Sequence, residues 1–223
     1  MPGLIAQNIS QIRANIPEYI RLIAVTKTVS PLAMREAYEA GIRDFAENRL
    51  QEALSKQQEL QDLTDLTWHF IGHIQTNKAR KVLENFAWIH SVDSLKLAKR
   101  LNKLARELDC QPQVCLQVKL LKDPNKYGWE VPELWQDLPQ IALCDFLNIQ
   151  GLMSILPLGL SETEILATFK AVKQLAGEIN HKQYPNIQMN QLSMGMSGDY
   201  LLAIEAGATM IRLGQIIFGA RNN

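Results

Sequence analysis

A short apolar run followed by a helical stretch recurs eight times along this 223-residue chain, and this repeat restricts the fold more than any other feature. Parallel strands that are buried on both faces are short and mostly apolar. Strand–helix alternation of this kind is typical of a closed (β/α)8 barrel, or TIM barrel. The predicted strands are Leu22–Thr26, Asp44–Ala46, Trp68–Ile71, Ala87–His90, Gln113–Val118, Leu147–Leu152, Met189–Leu192 and Thr209–Leu213.

The segments between the runs carry helix signals. The pair Ser30–Pro31 is a good N-cap and first turn, and Gly41 follows that helix as a stop. A capping box at Ser161–Glu164 opens another helix, and an extra helix at about Leu4–Ile16 precedes the first strand. We therefore expect one α/β barrel domain over residues 1–223. A doubly wound open sheet is the alternative, but no GxGxxG follows the first strand.

Composition narrows the classes of function. Lysine plus arginine and aspartate plus glutamate both total 23, so the basic excess of a nucleic-acid-binding protein is missing. No apolar run reaches the roughly 18 residues that cross a bilayer, and the first ten residues do not resemble a secretory signal. The cysteines are Cys110, Cys115 and Cys144, an odd number without a CxxC pair. We expect free thiols, a cytoplasmic protein, and neither membrane nor nucleic acid as a partner.

Lys27 ends the first apolar run, at the edge of the barrel where active sites are built. Burying an ammonium group is costly, so a desolvated lysine loses its proton more readily. The neutral amine can then form a Schiff base with an aldehyde. The competing interpretation is that the side chain extends into solvent from the end of the strand.

Two neighbouring turns near the C-terminus have the composition of a phosphate site. The stretch 193–199, Ser-Met-Gly-Met-Ser-Gly-Asp, joins the seventh predicted strand to a helix, and Gly214 follows the eighth. Glycines permit tight turns whose N–H groups converge, and the hydroxyls of Ser193 and Ser197 add donors. An ordinary helix cap explains the first turn alone equally well. Two such loops side by side favour phosphate, as in many barrels, and Arg212 would then face the bound ring.

Motifs along nearly the whole chain resemble the PLP homeostasis protein family (YggS/PROSC-type), where PLP is pyridoxal 5'-phosphate. They include Ala24-Val25-Thr26-Lys27, Glu47-Asn48-Arg49, the stretch 69–78, the stretch 89–93, Lys126 with Gly128, Gly151-Leu152-Met153, Ser193-Met194-Gly195-Met196-Ser197 and Arg212-Leu213-Gly214. The resemblance implies a monomeric barrel like the N-terminal domain of alanine racemase. It also implies a role in intracellular PLP (vitamin B6) and amino/keto-acid homeostasis, with PLP-accepting enzymes as candidate partners.

The same resemblance implies roles for individual residues. Lys27 would carry PLP as a Schiff base, and Arg212 would face the pyridine nitrogen. The other residues expected at the cofactor are Asn48 near the ring and Ser193, Met196, Ser197, Gly214 and Gln215 around the phosphate. Gln215 stands where the family usually has Ser or Thr, so only its N–H is expected to reach the phosphate. His69 and His73 have the spacing of metal ligands but lack further ligands nearby, so we expect structural roles and no metal site.

A PLP carrier is favoured over the alternative, a PLP-dependent amino-acid racemase or decarboxylase. An arginine at the ring nitrogen leaves the ring unprotonated and therefore a weaker electron sink. A two-base racemase also needs a second acid/base group, and the chain ends at Asn223, soon after the eighth predicted strand, so we expect no domain to supply one. The PLP face should then be open to water, which weakens catalysis and eases loading and release. A regulatory module that senses PLP is a third hypothesis.

Overall fold

The computed structural model describes residues 3–123 and 126–219, and over this part of the chain eight parallel strands close into a barrel. The strands, including a short ninth, are β1 (Arg21–Val25), β2 (Asp44–Glu47), β3 (Thr67–Phe70), β4 (Trp88–Val92), β5 (Gln113–Lys119), β6 (Trp129–Glu130), β7 (Asn148–Met153), β8 (Ile187–Ser193) and β9 (Met210–Leu213). Pairing of β1 with β9 and of β4 with β5 completes the ring. The two-residue β6 pairs with β5 outside it.

Helices cover the outside of the barrel, and α1 precedes the first strand. The helices are α1 (Leu4–Ala14), α2 (Pro31–Glu39), α3 (Leu50–Glu59), α4 (Ala79–Asn85), α5 (Leu95–Glu107), α6 (Val131–Ile141), α7 (Glu162–Asn180), α8 (Tyr200–Glu205) and α9 (Gln215–Phe218). Sequence signals account for several helix starts: the Ser30 hydroxyl accepts the Ala33 N–H, and Ser161 forms a capping box. Within the described residues no helix is both long and apolar enough to cross a membrane.

Side chains alternate between two layers of core. In β1, Leu22 and Ala24 face the helices and belong to the large outer core, whereas Ile23 and Val25 face the barrel interior. Successive strand residues point to opposite faces, so Lys27, two residues beyond the end of β1, continues the inward series of Ile23 and Val25. The same rule puts Arg212 of β9 inside the barrel, two residues after Met210. The two cationic side chains of interest are therefore directed inward by strand geometry.

The barrel interior combines apolar and polar side chains. Its apolar members form a small cluster of Ile23, Val25, Ala46, Trp88, Cys115, Met153 and Met210. Buried polar side chains share that interior, among them His69, His90, Ser193 and Arg212. Buried polar groups are expensive unless they are hydrogen-bonded, so their partners are central to the site.

The sequence prediction of an eight-stranded parallel barrel with an extra N-terminal helix is confirmed. The predicted strand boundaries lie within two residues of those in the structure. The short strand β6 was not predicted, since two residues carry no periodic signal. The helix expected to start near Gly198 begins at Tyr200, because residues 196–199 form a turn in which the N–H groups of Asp199 and Tyr200 donate to Met196 O.

Candidate functional site

A cavity of about 560 Å³ opens at the carboxyl ends of the strands, where (β/α)8 barrels carry their active sites. Its volume lies within the usual range for small-molecule sites. The lining comes from the end of β1, the loops after β2 and β3, the loop 155–160 after β7, the first turn of α7, and the turns around α8 and α9. The residues are Val25, Lys27, Asn48, Ile71, Gly72, Ile155, Leu156, Pro157, Leu158, Gly159, Leu160, Ile165, Met196, Ser197, Gly198, Asp199, Arg212, Gly214 and Gln215.

Seven of the eight predicted cofactor residues line this one cavity: Lys27, Asn48, Met196, Ser197, Arg212, Gly214 and Gln215. Ser193, the eighth, lies below it. Its side chain is fully buried in the barrel and its hydroxyl is within 2.7 Å of both Arg212 Nη1 and His90 Nδ1. The structure therefore places Ser193 beneath Arg212 rather than in the cavity wall with Met196 and Ser197.

The backbone on both sides of Lys27 is fixed by side chains of α3. Lys56 Nζ donates to Thr26 O at 2.6 Å, and the Thr28 N–H donates to Glu52 Oε1 at 2.5 Å. Thr28 adopts a left-handed conformation with φ of 64°, which is strained for a β-branched residue. Strain persists only where the surroundings impose it, and here an ammonium and a carboxylate do so. The half-buried Lys27 is thus presented by a rigid turn.

Lys56, Glu47 and Glu52 form a buried ionic cluster behind β1 and β2. Lys56 Nζ lies 2.8 Å from Glu47 Oε1 and 2.6 Å from Glu52 Oε1, and the Thr26 hydroxyl also donates to Glu47. Burial raises the pKa of Glu47 even though the bonds from Lys56 and Thr26 oppose the shift. For the more exposed Glu52, burial raises the pKa, but the bonds from Lys56 and Thr28 outweigh it and lower the pKa overall.

Asn48 occupies a tight junction between the loops after β2 and β3. A Cβ added to Gly72 would stand 2.1 Å from Asn48 O, so only glycine permits this contact. In the described part of the chain the buried Asn48 Oδ1 has no hydrogen-bond partner. A buried acceptor without a partner is rare in native proteins and calls for an explanation. Because Asn48 also lines the cavity, the orphaned oxygen is consistent with a polar ligand there.

The turn after β8 approaches the cavity through Gly195. Its φ is +92°, and an added Cβ would meet Ala203 Cβ at 2.7 Å, so glycine is required. The Met196 N–H donates to Asp199 Oδ1 at 2.6 Å, which closes the turn. The Arg212 N–H in turn donates to Gly195 O, so this turn is fixed to β9. The helices that follow these turns have only six and four residues, so any anion site here depends on the turns themselves.

Arg212 lies at the floor of the cavity and is 3% exposed. Nη1 donates to Ser193 Oγ at 2.7 Å and Nη2 donates to Ser154 O at 2.9 Å. Burial lowers the pKa of Arg212 to about 10, with attraction to Asp199 opposing the shift. The guanidinium therefore remains charged at neutral pH, and its other N–H groups are available to a ligand. The nearby buried Cys115 is a thiol, since burial raises its pKa to about 12.

The two histidines with metal-like spacing lie in different environments. His69 is inside the barrel, where its Nε2 lies 2.8 Å from Asp44 Oδ1. His73 is on the loop after β3, where its Nδ1 lies 2.7 Å from Asp93 Oδ2 and its ring stacks on Tyr127. Over residues 3–123 and 126–219 no group of three or more His, Cys, Asp or Glu side chains could hold a metal ion. Each histidine has a structural contact instead.

Some functional residues carried no local sequence signal. The loop 155–160, which supplies the apolar wall of the cavity, has no distinctive motif. Glu52 and Lys56 lie four residues apart on a surface helix, and this spacing indicates only an ordinary i,i+4 ion pair. Only the fold shows that both reach the strand end that carries Lys27. The buried pair His69–His90 could have been suspected, because both are polar and sit at inward positions of predicted strands.

Comparison with known proteins shows which protein family the chain belongs to. A family model for the N-terminal domain of alanine racemase matches residues 3–222, so the fold is that of an alanine-racemase-type barrel. The relatives narrow the class further. A pyridoxal phosphate homeostasis protein of Synechocystis sp. is 56% identical over 95% of this chain and 96% of its own. Its Escherichia coli K12 counterpart is 39% identical over 98% and 97%. The chain belongs to the pyridoxal phosphate homeostasis protein family.

Solved structures agree with this assignment. PipY of Synechococcus elongatus, solved with PLP bound, superposes with a TM-score of 0.92 at 49% identity, covering 96% of this chain and 100% of PipY. Alanine racemase of Clostridium difficile 630 superposes with a TM-score of 0.79 at 13% identity, over 98% of this chain and 57% of the racemase. The second likeness shows the shared fold alone.

Proposed function

We propose that this protein binds PLP as a Schiff base on Lys27 and acts as a carrier in intracellular PLP and amino/keto-acid homeostasis. The observation that carries the proposal is the meeting of Lys27, Arg212 and the turns around Ser197 and Gly214 in one cavity. PipY, a structural relative at 49% identity, binds PLP in its solved structure. The curated relatives are named for PLP homeostasis.

Lys27 is the residue that we assign to covalent attachment. Its amine nitrogen would bond to the aldehyde carbon of PLP, and the carbonyl oxygen would leave as water. The turn that carries Lys27 is held by Lys56 and Glu52, so the amine needs little reorganisation to reach the cavity. The aldehyde itself supplies the chemistry of attachment, and the protein supplies the positioned amine.

Arg212 is assigned to the pyridine nitrogen and the turns to the phosphate. A permanently protonated guanidinium donates to the ring nitrogen and thereby keeps it unprotonated. Ser197, Met196, Gly214 and Gln215 line the wall beside Arg212, and we assign them to the phosphate through hydroxyl and backbone N–H groups. Ser193 does not line the cavity, so its proposed role is to support Arg212. Asn48 would contact the ring.

The carrier role is favoured over the racemase or decarboxylase alternative by the residues of the cavity. Among the described lining residues the ionisable ones are Lys27, Asp199 and Arg212. Asp199 accepts the Met196 N–H within the proposed phosphate turn, and Arg212 stays charged. No second acid/base group therefore faces Lys27 from the described lining, whereas a two-base racemase needs one. We also propose that the protein works as a cytoplasmic monomer that supplies PLP-accepting enzymes.

The direct test is an absorbance spectrum of the protein with PLP, followed by borohydride reduction and peptide mapping. We expect a visible imine band and a pyridoxyl label on Lys27. Lys27→Ala should abolish both while keeping the native circular dichroism spectrum. Lys173→Ala, which removes an exposed lysine of α7 outside the cavity, serves as the matched control and should retain both. A label on another lysine would overturn the assignment.

The carrier role needs its own measurement. Incubation of the loaded protein with L- and D-alanine, followed by chiral chromatography, should show no racemisation above that of free PLP. Incubation with an apo PLP enzyme should restore that enzyme's activity. Robust racemisation by the purified protein would reverse the ranking of the two functions.

A further inference from the structure

A chain of hydrogen-bonded side chains runs from the cavity floor through the barrel interior. It begins at Arg212, whose Nη1 lies 2.7 Å from Ser193 Oγ, and continues over 2.7 Å from Ser193 Oγ to His90 Nδ1. His90 Nε2 then lies 2.9 Å from His69 Nδ1, and His69 Nε2 lies 2.8 Å from Asp44 Oδ1. Both histidines and Ser193 are fully buried. The chain therefore connects the cavity to β2 at the other end of the barrel.

The chemistry of the two ends determines the direction of every bond. A guanidinium can only donate, and an ionised carboxylate can only accept. Asp44 must accept from His69 Nε2, so each neutral ring in turn accepts at Nδ1. The Ser193 O–H therefore points to His90 Nδ1, while Ser193 Oγ accepts from Arg212. His90 therefore carries its proton on Nε2 and donates to His69 Nδ1. His69 likewise carries its proton on Nε2 and donates to Asp44. Each intermediate group uses one donor and one acceptor, so all the links are satisfied together.

The electrostatic environment agrees with this direction. Burial lowers the pKa of His69 and lowers the pKa of His90 well below its usual value, which keeps both rings neutral. Partial burial raises the pKa of Asp44, but hydrogen bonds from His69 and Arg21 outweigh it and lower the pKa overall. The carboxylate at the far end is thus ionised at neutral pH, as an acceptor-only terminus requires.

Arg212 needs such support because its charge is buried and no carboxylate in the described part of the chain is in direct contact with it, although Asp199 attracts it from across the cavity. Among the described residues it forms no ion pair, and its two hydrogen-bond acceptors are Ser193 Oγ and a backbone carbonyl. Hydrogen bonds in a chain polarise one another. The Asp44 carboxylate therefore strengthens Ser193 Oγ as an acceptor, although no direct contact joins Asp44 to Arg212.

We propose that His90 and His69 are positioning residues for Arg212. They fix its guanidinium as a charged donor at the cavity floor, where it meets the pyridine nitrogen of PLP. The inference rests on the proposed function and deepens it, since it assigns a cofactor-directed role to side chains that never touch the cofactor. Histidines that only filled the core would affect folding stability and leave the affinity for PLP unchanged.

The direction of the chain can be read by NMR of the whole protein labelled with ¹⁵N-histidine. The chain has four histidines, so ring signals are few and can be assigned by substitution. We expect His69 and His90 to be neutral with the proton on Nε2 at neutral pH, with or without PLP. A proton on Nδ1 of either ring, or a doubly protonated ring, would overturn the proposal.

The effect on the cofactor is measured by titrating variants with PLP. His90→Leu should weaken PLP binding by about tenfold, the scale of one lost hydrogen bond, because Ser193 loses the partner that orients its hydroxyl toward Arg212. The borohydride label should remain on Lys27. Ile89→Val, a change on the opposite face of the same strand, is the matched control and should bind as the native protein does. An unchanged PLP affinity in His90→Leu would refute the role.

A second pair of variants tests the same role even if His90→Leu does not fold. Ser193→Ala breaks the link between Arg212 and His90, and Ser193→Thr restores a hydroxyl. We expect weakened PLP binding in the first and recovery in the second, and equal affinity in both would count against the chain. If the native protein fails to bind PLP, the proposed function fails. If it binds PLP and the variants match it, only the positioning role fails.

Discussion

The two cations of the cavity are supported by buried polar groups of opposite character. Lys27 is held from outside the strands by an ionic cluster, in which Lys56 bonds to the carboxylates of Glu47 and Glu52 and to Thr26 O. Arg212 is held from inside the barrel by a serine and two neutral histidines. Charged side chains therefore support the turn of Lys27, whereas neutral side chains support Arg212.

The two kinds of support suit different requirements at Lys27 and at Arg212. The turn at Lys27 is strained, and charge-assisted bonds to its backbone are strong enough to hold it there. A carboxylate in direct contact with Arg212 would satisfy the guanidinium and neutralise it. Neutral acceptors leave the charge available to a ligand in the cavity. Four substitutions test this difference between the surroundings of Lys27 and Arg212.

The largest effect is expected at the ionic cluster. Lys56→Met would leave the buried carboxylate of Glu47 and the half-buried carboxylate of Glu52 without their cation. Breaking a buried ionic group costs about 3–5 kcal/mol of unfolding free energy. Urea denaturation measures the loss. Lys99→Met removes an exposed lysine that donates to Gln140, and as the control it should cost less than about 1 kcal/mol. Similar losses in both variants would contradict the picture of a buried cluster.

The next effect concerns Arg212 itself. Arg212→Ala should weaken PLP retention by about tenfold to hundredfold, because a charge-assisted bond to the ring nitrogen is lost. The imine on Lys27 should still form at high PLP concentration, since its turn is fixed by a separate cluster. Absorbance titration gives the dissociation constant, and borohydride reduction checks the attachment. Native affinity in this variant would remove Arg212 from the site.

The inner chain should make folding stability depend on pH. In the unfolded chain His69 and His90 take up protons below about pH 6.5, whereas burial keeps them neutral in the folded protein. The unfolded state then binds more protons, so stability falls as pH drops, by at most about 1.4 kcal/mol per pH unit for each histidine. Urea denaturation at about pH 7 and 5.5 measures the slope, and His90→Gln should reduce it. An equal slope in that variant would show that His90 does not contribute.

The smallest effect has the opposite sign. Thr28→Gly should raise the unfolding free energy by about 0.5–1 kcal/mol, because glycine adopts the left-handed φ of 64° without a steric cost. Ala33→Gly in α2 is the matched control and should lower stability by a similar amount. Thermal unfolding compares the two variants. A loss of stability in both would mean that Thr28 is not strained.

The sequence was sufficient for those parts of the protein that local pattern determines. Eight apolar runs and their caps predicted the barrel, and the position of Lys27 at a strand end predicted its place in the cavity. Ser193 shows where such reasoning stops. Its glycine-rich neighbourhood suggested a phosphate contact, but it is the last residue of β8, paired with Met210, one inward layer below Arg212. This depth is set by the register between β8 and β9, which the sequence does not contain.

Contacts between distant segments could not be predicted. Lys56 reaches Thr26 across 30 positions, and no propensity or spacing marks that bond. The register between β3 and β4, which brings His69 next to His90, depends on how the barrel closes. Chemistry-bearing residues were therefore identifiable one by one, whereas the networks that orient them required the fold.

Asp44 and Arg21, at the foot of the barrel, remain partly open to solvent, with 16% and 34% of their side chains exposed. A substitution there can be tolerated sterically while it changes the charge at one terminus of a path that ends beside the cofactor. A substitution at Asp44 should therefore change the affinity for PLP from outside the cavity. Variation at that position among natural sequences could tune release without altering a single cavity wall.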